Sequence, residues 1–228
     1  MRSISFETGY LQSPAGSCLA SFGDTKVICT ASIQNSVPPF LEGRGTGWVT
    51  AEYAMLPGST STRKRREIGK RDGRSVEIQR LIGRSLRAAI DMKALGPVSI
   101  LLDCDVLQAD GGTRTTAISG AWVALYGALE KLAEMQGTSG PEHYLKGQMA
   151  AVSVGVVDDE IVCDLDYAHD SKAQVDMNIV MMGDAFVEIQ GTGEQGTFSR
   201  TQMDQLVASA ENGIAQIYKA QREVLGIA

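Results

Sequence analysis

Val98-Ser99-Ile100-Leu101-Leu102-Asp103-Cys104-Asp105-Val106-Leu107-Gln108-Ala109-Asp110-Gly111-Gly112-Thr113-Arg114-Thr115-Thr116 is the stretch from which the rest of the chain can be read. Val98–Leu107 is a long apolar run, interrupted only by Asp103 and Asp105, and reads as a strand. Gly111-Gly112 turns the chain. From about Thr115 to Gln136 an Ala- and Leu-rich segment predicts a long helix.

The same grammar extends in both directions. Upstream, Ser17–Phe22 and Thr25–Ser32 flank Gly23-Asp24 and predict a hairpin. Trp48–Met55 predicts a strand, broken by Leu56-Pro57-Gly58. A helix begins near Ser75, a suitable N-cap, with Ile78, Leu81, Ile82, Leu86, Ala89 and Ile90 on one face. Downstream, Ala150–Val157 and Ile161–Leu165 flank Asp158-Asp159-Glu160, and Val175–Met182 and Ala185–Gln190 flank Gly183-Asp184. A terminal helix over Thr201–Leu225 follows, and Gly137–Pro141 is the seam between the halves. Strand pairs followed by helices, twice, predict an α+β fold of two pseudo-repeat halves sharing one core, with residues 1–228 as a single domain.

At 228 residues and 43% hydrophobic, the chain can bury a sizeable core. No run approaches the roughly 18 apolar residues of a membrane span, and Met1–Glu7 lacks the apolar core of a signal peptide. Cys18, Cys29, Cys104 and Cys163 sit in apolar strand-like runs without metal-ligand or redox-pair spacing, and read as buried small hydrophobes. The expectation is a soluble, cytoplasmic protein with no membrane contact. His143 and His169 are the sole histidines, which excludes a multi-histidine zinc site and argues against a histidine-centred triad.

The net charge of −6 hides a split. Residues 63–87 hold Arg63, Lys64, Arg65, Arg66, Lys70, Arg71, Arg74, Arg80, Arg84 and Arg87 against Glu67, Asp72 and Glu77, a net +7, which leaves −13 on the rest. Such asymmetry reads as a docking stripe for a polyanion. Its first part is an exposed loop. In its second, Arg80, Arg84 and Arg87 share one helix face.

Three constellations can carry chemistry. Gly111-Gly112-Thr113-Arg114 lies where a strand ends and a helix starts. There the backbone can approach a ligand, amide donors are unpaired, and a hydroxyl and a guanidinium fork suit phosphate oxygens. Asp72-Gly73-Arg74 offers a second arginine at a second helix start. Asp164, Asp166, Asp170 and Asp176 fall within 13 residues. Asp164 and Asp166 read as hairpin residues in water. Asp176, inside an apolar strand pattern, needs a cation or hydrogen bonds, and the Asp170/Asp176 pair suits Mg²⁺ beside phosphates. The combination is phosphoryl-transfer chemistry on a nucleic acid, with water or phosphate as the attacking group left open.

At these residues the chain closely resembles the ribonuclease PH family of phosphorolytic 3′–5′ exoribonucleases, nearly end to end. The resemblance rests on Ser21-Phe22-Gly23-Asp24-Thr25-Lys26-Val27, Gly47-Trp48-Val49-Thr50-Ala51-Glu52-Tyr53, Glu77-Ile78-Gln79-Arg80-Leu81-Ile82-Gly83-Arg84 and, most specifically, Asp103–Thr115. It implies the family's β-α-β-α fold and hexameric ring, a trimer of dimers. It also implies trimming of the 3′ ends of tRNA precursors and other RNA, with inorganic phosphate as co-substrate and nucleoside diphosphates as products. By the same resemblance Arg74, Gly112, Thr113 and Arg114 bind phosphate, and Asp170 and Asp176 hold Mg²⁺ and act in catalysis. Arg63, Arg65, Arg66, Arg80 and Arg84 are expected to guide RNA. The alternative reading is a catalytically silent RNA-binding ring subunit, and a metal-dependent hydrolytic nuclease is a third. The chain departs from the family pattern in lacking the arginine-containing segment with which members usually begin. It also carries Gly58 for an arginine, Ser61 for a histidine, and His169 and Gln174 for acidic residues beside the aspartate pair.

Overall fold

The computed structural model describes residues 1–69 and 72–227; Lys70 and Arg71, two members of the basic run, lie outside the described residues. The first half contains β1 (Ile4–Thr8), β2 (Gly16–Phe22), β3 (Thr25–Gln34), β4 (Trp48–Met55), α1 (Gly73–Ala88), the short α2 (Met92–Leu95), β5 (Ser99–Gln108) and α3 (Thr113–Gln136). The second contains β6 (Met149–Val157), β7 (Glu160–Cys163), the short α4 (Tyr167–Asp170), β8 (Val175–Met182), β9 (Ala185–Gly193) and α5 (Arg200–Leu225).

One sheet runs in the order β1-β2-β3-β5-β4 and the other β7-β6-β8-β9. In β5, Ile100, Leu102, Cys104 and Val106 are buried, while Asp103 is exposed and Asp105 is half-buried. The two aspartates therefore fall on the opposite face of the pleat and do not break the strand. β5 pairs antiparallel with β3 and parallel with the edge strand β4, so the turn after β5 opens from inside the sheet and not from its edge. The second sheet is antiparallel throughout. The halves are thus related as antiparallel strands followed by a long helix, and the parallel β4–β5 pair belongs to the first half only.

α3 is the shared element. It is buried along most of its length because it packs on β2, β3 and β5 on one side and on β6 on the other. Such a helix needs apolar or small residues all round, which its Ala-rich sequence supplies. One apolar cluster runs through both halves, from Phe22 and Leu102 through Trp122 and Leu125 to Val152 and Ile217. Cys18, Cys29 and Cys104 stand in one row across β2, β3 and β5. Burial pushes the Cys18 thiol up to about 12 and Cys29 well above its ordinary value, so both behave as packing groups. All four cysteines are free.

Several local expectations shift. α1 starts at Gly73, capped by the Asp72 side chain, which accepts from the Arg74 amide. Ser75 is instead buried inside the first turn and donates to Glu67 Oε1 at 2.6 Å. α3 starts at Thr113, two residues before the Thr115 expected from sequence, with left-handed Gly112 at its N-cap. β1 escaped the sequence pattern because it is an edge strand in which Phe6 alone is buried. Among the described residues, no helix is long and apolar enough to cross a membrane.

Candidate active site

The β5–α3 turn is built on a hydrogen-bonded frame drawn from three parts of the chain. Thr25, fully buried at the start of β3, accepts from the Asp110 amide at 2.9 Å and donates to the Gly111 carbonyl at 2.6 Å. Arg2 donates from Nη1 to the Asp110 carbonyl. The same guanidinium grips Asp164, with Nε to Oδ2 at 3.0 Å and Nη2 to Oδ1 at 2.6 Å, and the Arg2 amide adds a third bond at 3.0 Å. The Asp164 side chain is wholly buried. It is not a hairpin residue in water: it is the internal counter-charge that ties the N-terminal segment to both site loops. Asp110 Oδ1 in turn accepts from the Tyr167 amide at 3.2 Å.

That frame holds Gly111 and Gly112 at φ +72° and +59°. A Cβ on Gly111 would lie 2.4 Å from the Leu165 carbonyl oxygen, so the two loops meet backbone to backbone. No side chain caps the start of α3. Its first amides and partial positive charge therefore face the cavity beside Thr113 and Arg114. Arg74, on the first turn of α1, reaches the same place. Arg114 is held by Glu77 of α1, with Nη1 3.5 Å from Oε2, and donates to Gln190 Oε1 of β9 at 3.3 Å.

Opposite the arginines stand Asp170, at the end of α4, and Asp176, on β8. α4 is a single turn set by Asp166, whose carboxylate accepts from the His169 amide at 2.9 Å and meets its ring Nδ1 at 2.8 Å. Burial lifts the Asp176 carboxyl to about 6, and the neighbouring Asp170 charge adds to the rise. Asp170 is exposed as a residue, but its carboxyl faces the cavity. Desolvation there raises it, against the pull of Arg74 and Arg114. Both carboxylates are thus short of positive charge. Among the described residues, no three His, Cys, Asp or Glu gather as a metal cage. A pair of carboxylates with Asn178 beside them still fits Mg²⁺, which keeps several waters and binds through one or two carboxylates plus phosphate oxygens.

Two adjoining cavities of about 740 and 340 Å³ open here, and Arg74, Arg114, Asp170, Asp176 and Asn178 line both. The fold therefore brings together all the residues expected from sequence to handle phosphate and metal. The basic stripe divides. Arg63, Arg65 and Arg66 lie on an exposed loop, and Arg80 is exposed on α1. Arg84 is engaged by Glu188 of β9 through Nε and Nη2, and Arg87 lies over the Trp48 ring and donates to the Val49 carbonyl. Sequence reading passed over Arg2, Tyr53 and Glu77 as site residues. A lone arginine, a strand tyrosine and a helix glutamate have no local pattern, and their partners lie far along the chain.

The family model of the 3′ exoribonuclease family, domain 1, matches residues 1–129, and that of domain 2 matches residues 147–213. The chain is 54% identical over 230 aligned positions to ribonuclease PH of Bacillus cereus (strain B4264), covering 99% of this chain and 93% of the relative. The figures for ribonuclease PH of Bacillus anthracis (strain CDC 684 / NRRL 3495) are the same. Among solved structures, rice (Oryza sativa) Rrp46 superposes with a TM-score of 0.78 at 16% identity, over 97% of this chain and 94% of that one. A chain of the Archaeoglobus fulgidus exosome with RNA bound to the active site gives 0.80 at 20% identity, over 96% and 87%. At such identities these two structures speak to the fold, and the fold is theirs. The chain belongs to the 3′ exoribonuclease family. Its full-length likeness sets it among the ribonucleases PH, the phosphorolytic 3′–5′ exoribonucleases that are also tRNA nucleotidyltransferases.

Proposed function

We propose that Arg74, Gly112-Thr113-Arg114 and the Asp170/Asp176 pair are the working parts of this phosphorolytic site, acting on the 3′ ends of tRNA precursors and other RNA. The observation that carries the reading is the common lining of the two cavities. Two guanidinium groups and two under-compensated carboxylates face each other across one space beside an uncapped helix start. Inorganic phosphate is seated by the Arg74 and Arg114 forks, the first amides of α3 and the Thr113 hydroxyl. Held there, a phosphate oxygen attacks the last internucleotide phosphorus in line. The new P–O bond forms as the bond to the 3′ oxygen breaks, releasing a nucleoside diphosphate and RNA one nucleotide shorter. A phosphoanhydride replaces a phosphodiester, so the step runs in both directions.

Asp170 and Asp176 are the residues that would hold Mg²⁺. Bound there, it supplies neutralisation of charge developing on the transferring phosphoryl group. Arg63, Arg65, Arg66 and Arg80 are the guanidinium groups open to an RNA backbone, whereas Arg84 meets RNA only by sharing Glu188. A homohexameric ring, a trimer of dimers, follows from the family resemblance and is supported by the likeness to exosome chains. A cytoplasmic setting is supported by four free cysteines.

The test is digestion of a tRNA carrying a 3′ extension, with Mg²⁺, with and without inorganic phosphate. Nucleoside diphosphates released only with phosphate, and lost in Arg114→Ala, are expected. Monophosphates formed regardless of phosphate would overturn the assignment of Thr113 and Arg114.

A further inference from the structure

Three threonine hydroxyls crowd the first turn of α3, and they are not bonded alike. Thr115 Oγ1 and Thr116 Oγ1 each donate back to the Gly112 carbonyl at 2.9 Å. Thr113 Oγ1 does not. It accepts from the phenol of Tyr53, at 2.9 Å, across from β4. Tyr53 and Thr113 are 4% and 7% exposed, so the contact is shielded from water on the β4 side. Tyr53 is the last buried residue of β4, and its hydroxyl reaches the start of α3.

A threonine hydroxyl has one proton to give and two lone pairs. With one lone pair taken by the Tyr53 hydroxyl, its own proton must point away from the phenol. Among the described residues no backbone carbonyl accepts it. Oγ1 opens on the cavity, whose lining includes Arg74 and Arg114, which cannot accept a hydrogen bond, and Asp170, Asp176 and Asn178, none of which is bonded to the Thr113 hydroxyl. A hydroxyl whose acceptor side is already occupied, and whose proton is turned into the cavity beside two guanidinium groups that draw an anion, is a donor prepared for that anion.

We propose that Tyr53 is a positioning residue that fixes the Thr113 hydroxyl as a donor to phosphate. The phosphate is inorganic in the degradative direction and the terminal phosphate of a nucleoside diphosphate in the synthetic one. This rests on the reading of Thr113 as a phosphate ligand. Tyr53 itself touches no substrate. It removes the rotational freedom that would let the Thr113 proton turn to a backbone carbonyl, as Thr115 and Thr116 do.

Tyr53→Phe keeps the ring and deletes only the hydroxyl. Phosphorolysis is measured against phosphate and against RNA separately, in the wild type, Tyr53→Phe, Thr113→Val and the double variant. Expected is a roughly three- to tenfold rise in KM for phosphate in Tyr53→Phe, the size of an ordinary net hydrogen bond and less than the whole of one to a charged group, because the Thr113 hydroxyl is loosened and not removed. KM for RNA and kcat at saturating phosphate stay within about twofold, and in the Thr113→Val background Tyr53→Phe adds nothing. If Thr113→Val raises KM for phosphate and Tyr53→Phe does not, the role of Tyr53 is overturned. So it is if Tyr53→Phe acts equally in both backgrounds or raises both KM values, because it then works through packing. If Thr113→Val itself leaves KM for phosphate unchanged, it is the assignment of Thr113 that falls.

Discussion

Replacing Arg2 by methionine keeps an unbranched apolar stem and removes the guanidinium that joins the N-terminal segment to both site loops. Asp164 then loses the bonds from Nε and Nη2 and keeps the one from the residue 2 amide. Its side chain is wholly buried and that of Arg2 is 15% exposed, so water cannot easily replace the lost partner. Breaking one side of a buried ion pair destabilises by about 3–5 kcal/mol. The surviving amide bond argues for the lower end, about 3 kcal/mol. For a chain of 228 residues this lowers the Tm by roughly 6–12 °C. Thermal and urea denaturation measure it. The control is Arg2→Met with Asp164→Asn, which removes both charges and leaves at φ +65° a residue that tolerates the left-handed region. This double variant recovers most of the loss, because the cost lies in the stranded carboxylate more than in the missing pair. A single variant within about 1 kcal/mol of wild type, or a double variant no better than the single, would refute the reasoning.

Gly111→Ala places a Cβ 2.4 Å from the Leu165 carbonyl oxygen at φ +72°, and so forces the two site loops apart. It is expected to destabilise by about 2 kcal/mol or more and to raise KM for phosphate, and a wild-type melting curve with wild-type KM would count against the frame. Replacing Arg63, Arg65 and Arg66 together by alanine flattens the slope of log affinity for single-stranded RNA against log salt by about 2, at roughly 0.7 per phosphate contact. Arg84→Ala leaves that slope unchanged because Glu188 already neutralises it, and anisotropy titrations across a salt series separate the two cases. Asp176, lifted to about 6, holds in the metal-free folded chain a proton that the unfolded chain releases, so its ionisation above pH 6 opposes folding. Asp176→Asn therefore raises the Tm of metal-free protein near neutral pH while abolishing activity. The gain in Tm vanishes as the pH falls toward the ordinary carboxylate range, and a gain that grew on acidification would reverse the sign of the argument.

The strand, the glycine turn and the long helix around Gly111 were legible because each is a local pattern. Apolar residues predict a strand, two glycines permit positive φ, and an Ala- and Leu-rich run predicts a helix; that the helix lies between two layers came from the structure. The suspicion about Asp176 was also local, since a carboxylate in an apolar strand needs a partner whatever surrounds it. Asp164 shows where that reasoning stops. The same kind of residue, 12 positions earlier, looked like an ordinary turn aspartate, and its meaning came from Arg2, 162 residues away.

Arg84 illustrates the reverse: helical spacing put it on a basic stripe, and β9 brought Glu188 to it. The Tyr53–Thr113 and Glu77–Arg114 contacts likewise join separate elements. Element type, turn chemistry and the kinds of charged and hydroxyl group that the strand–helix turns carry were legible in the sequence itself, because they depend on neighbours within a few residues. Which charges are paired, which hydroxyl bonds across to another element and which carboxylate is a brace were decided by the tertiary structure, because pairing across strands and helices follows sheet register and helix docking, and neither leaves a period along the chain.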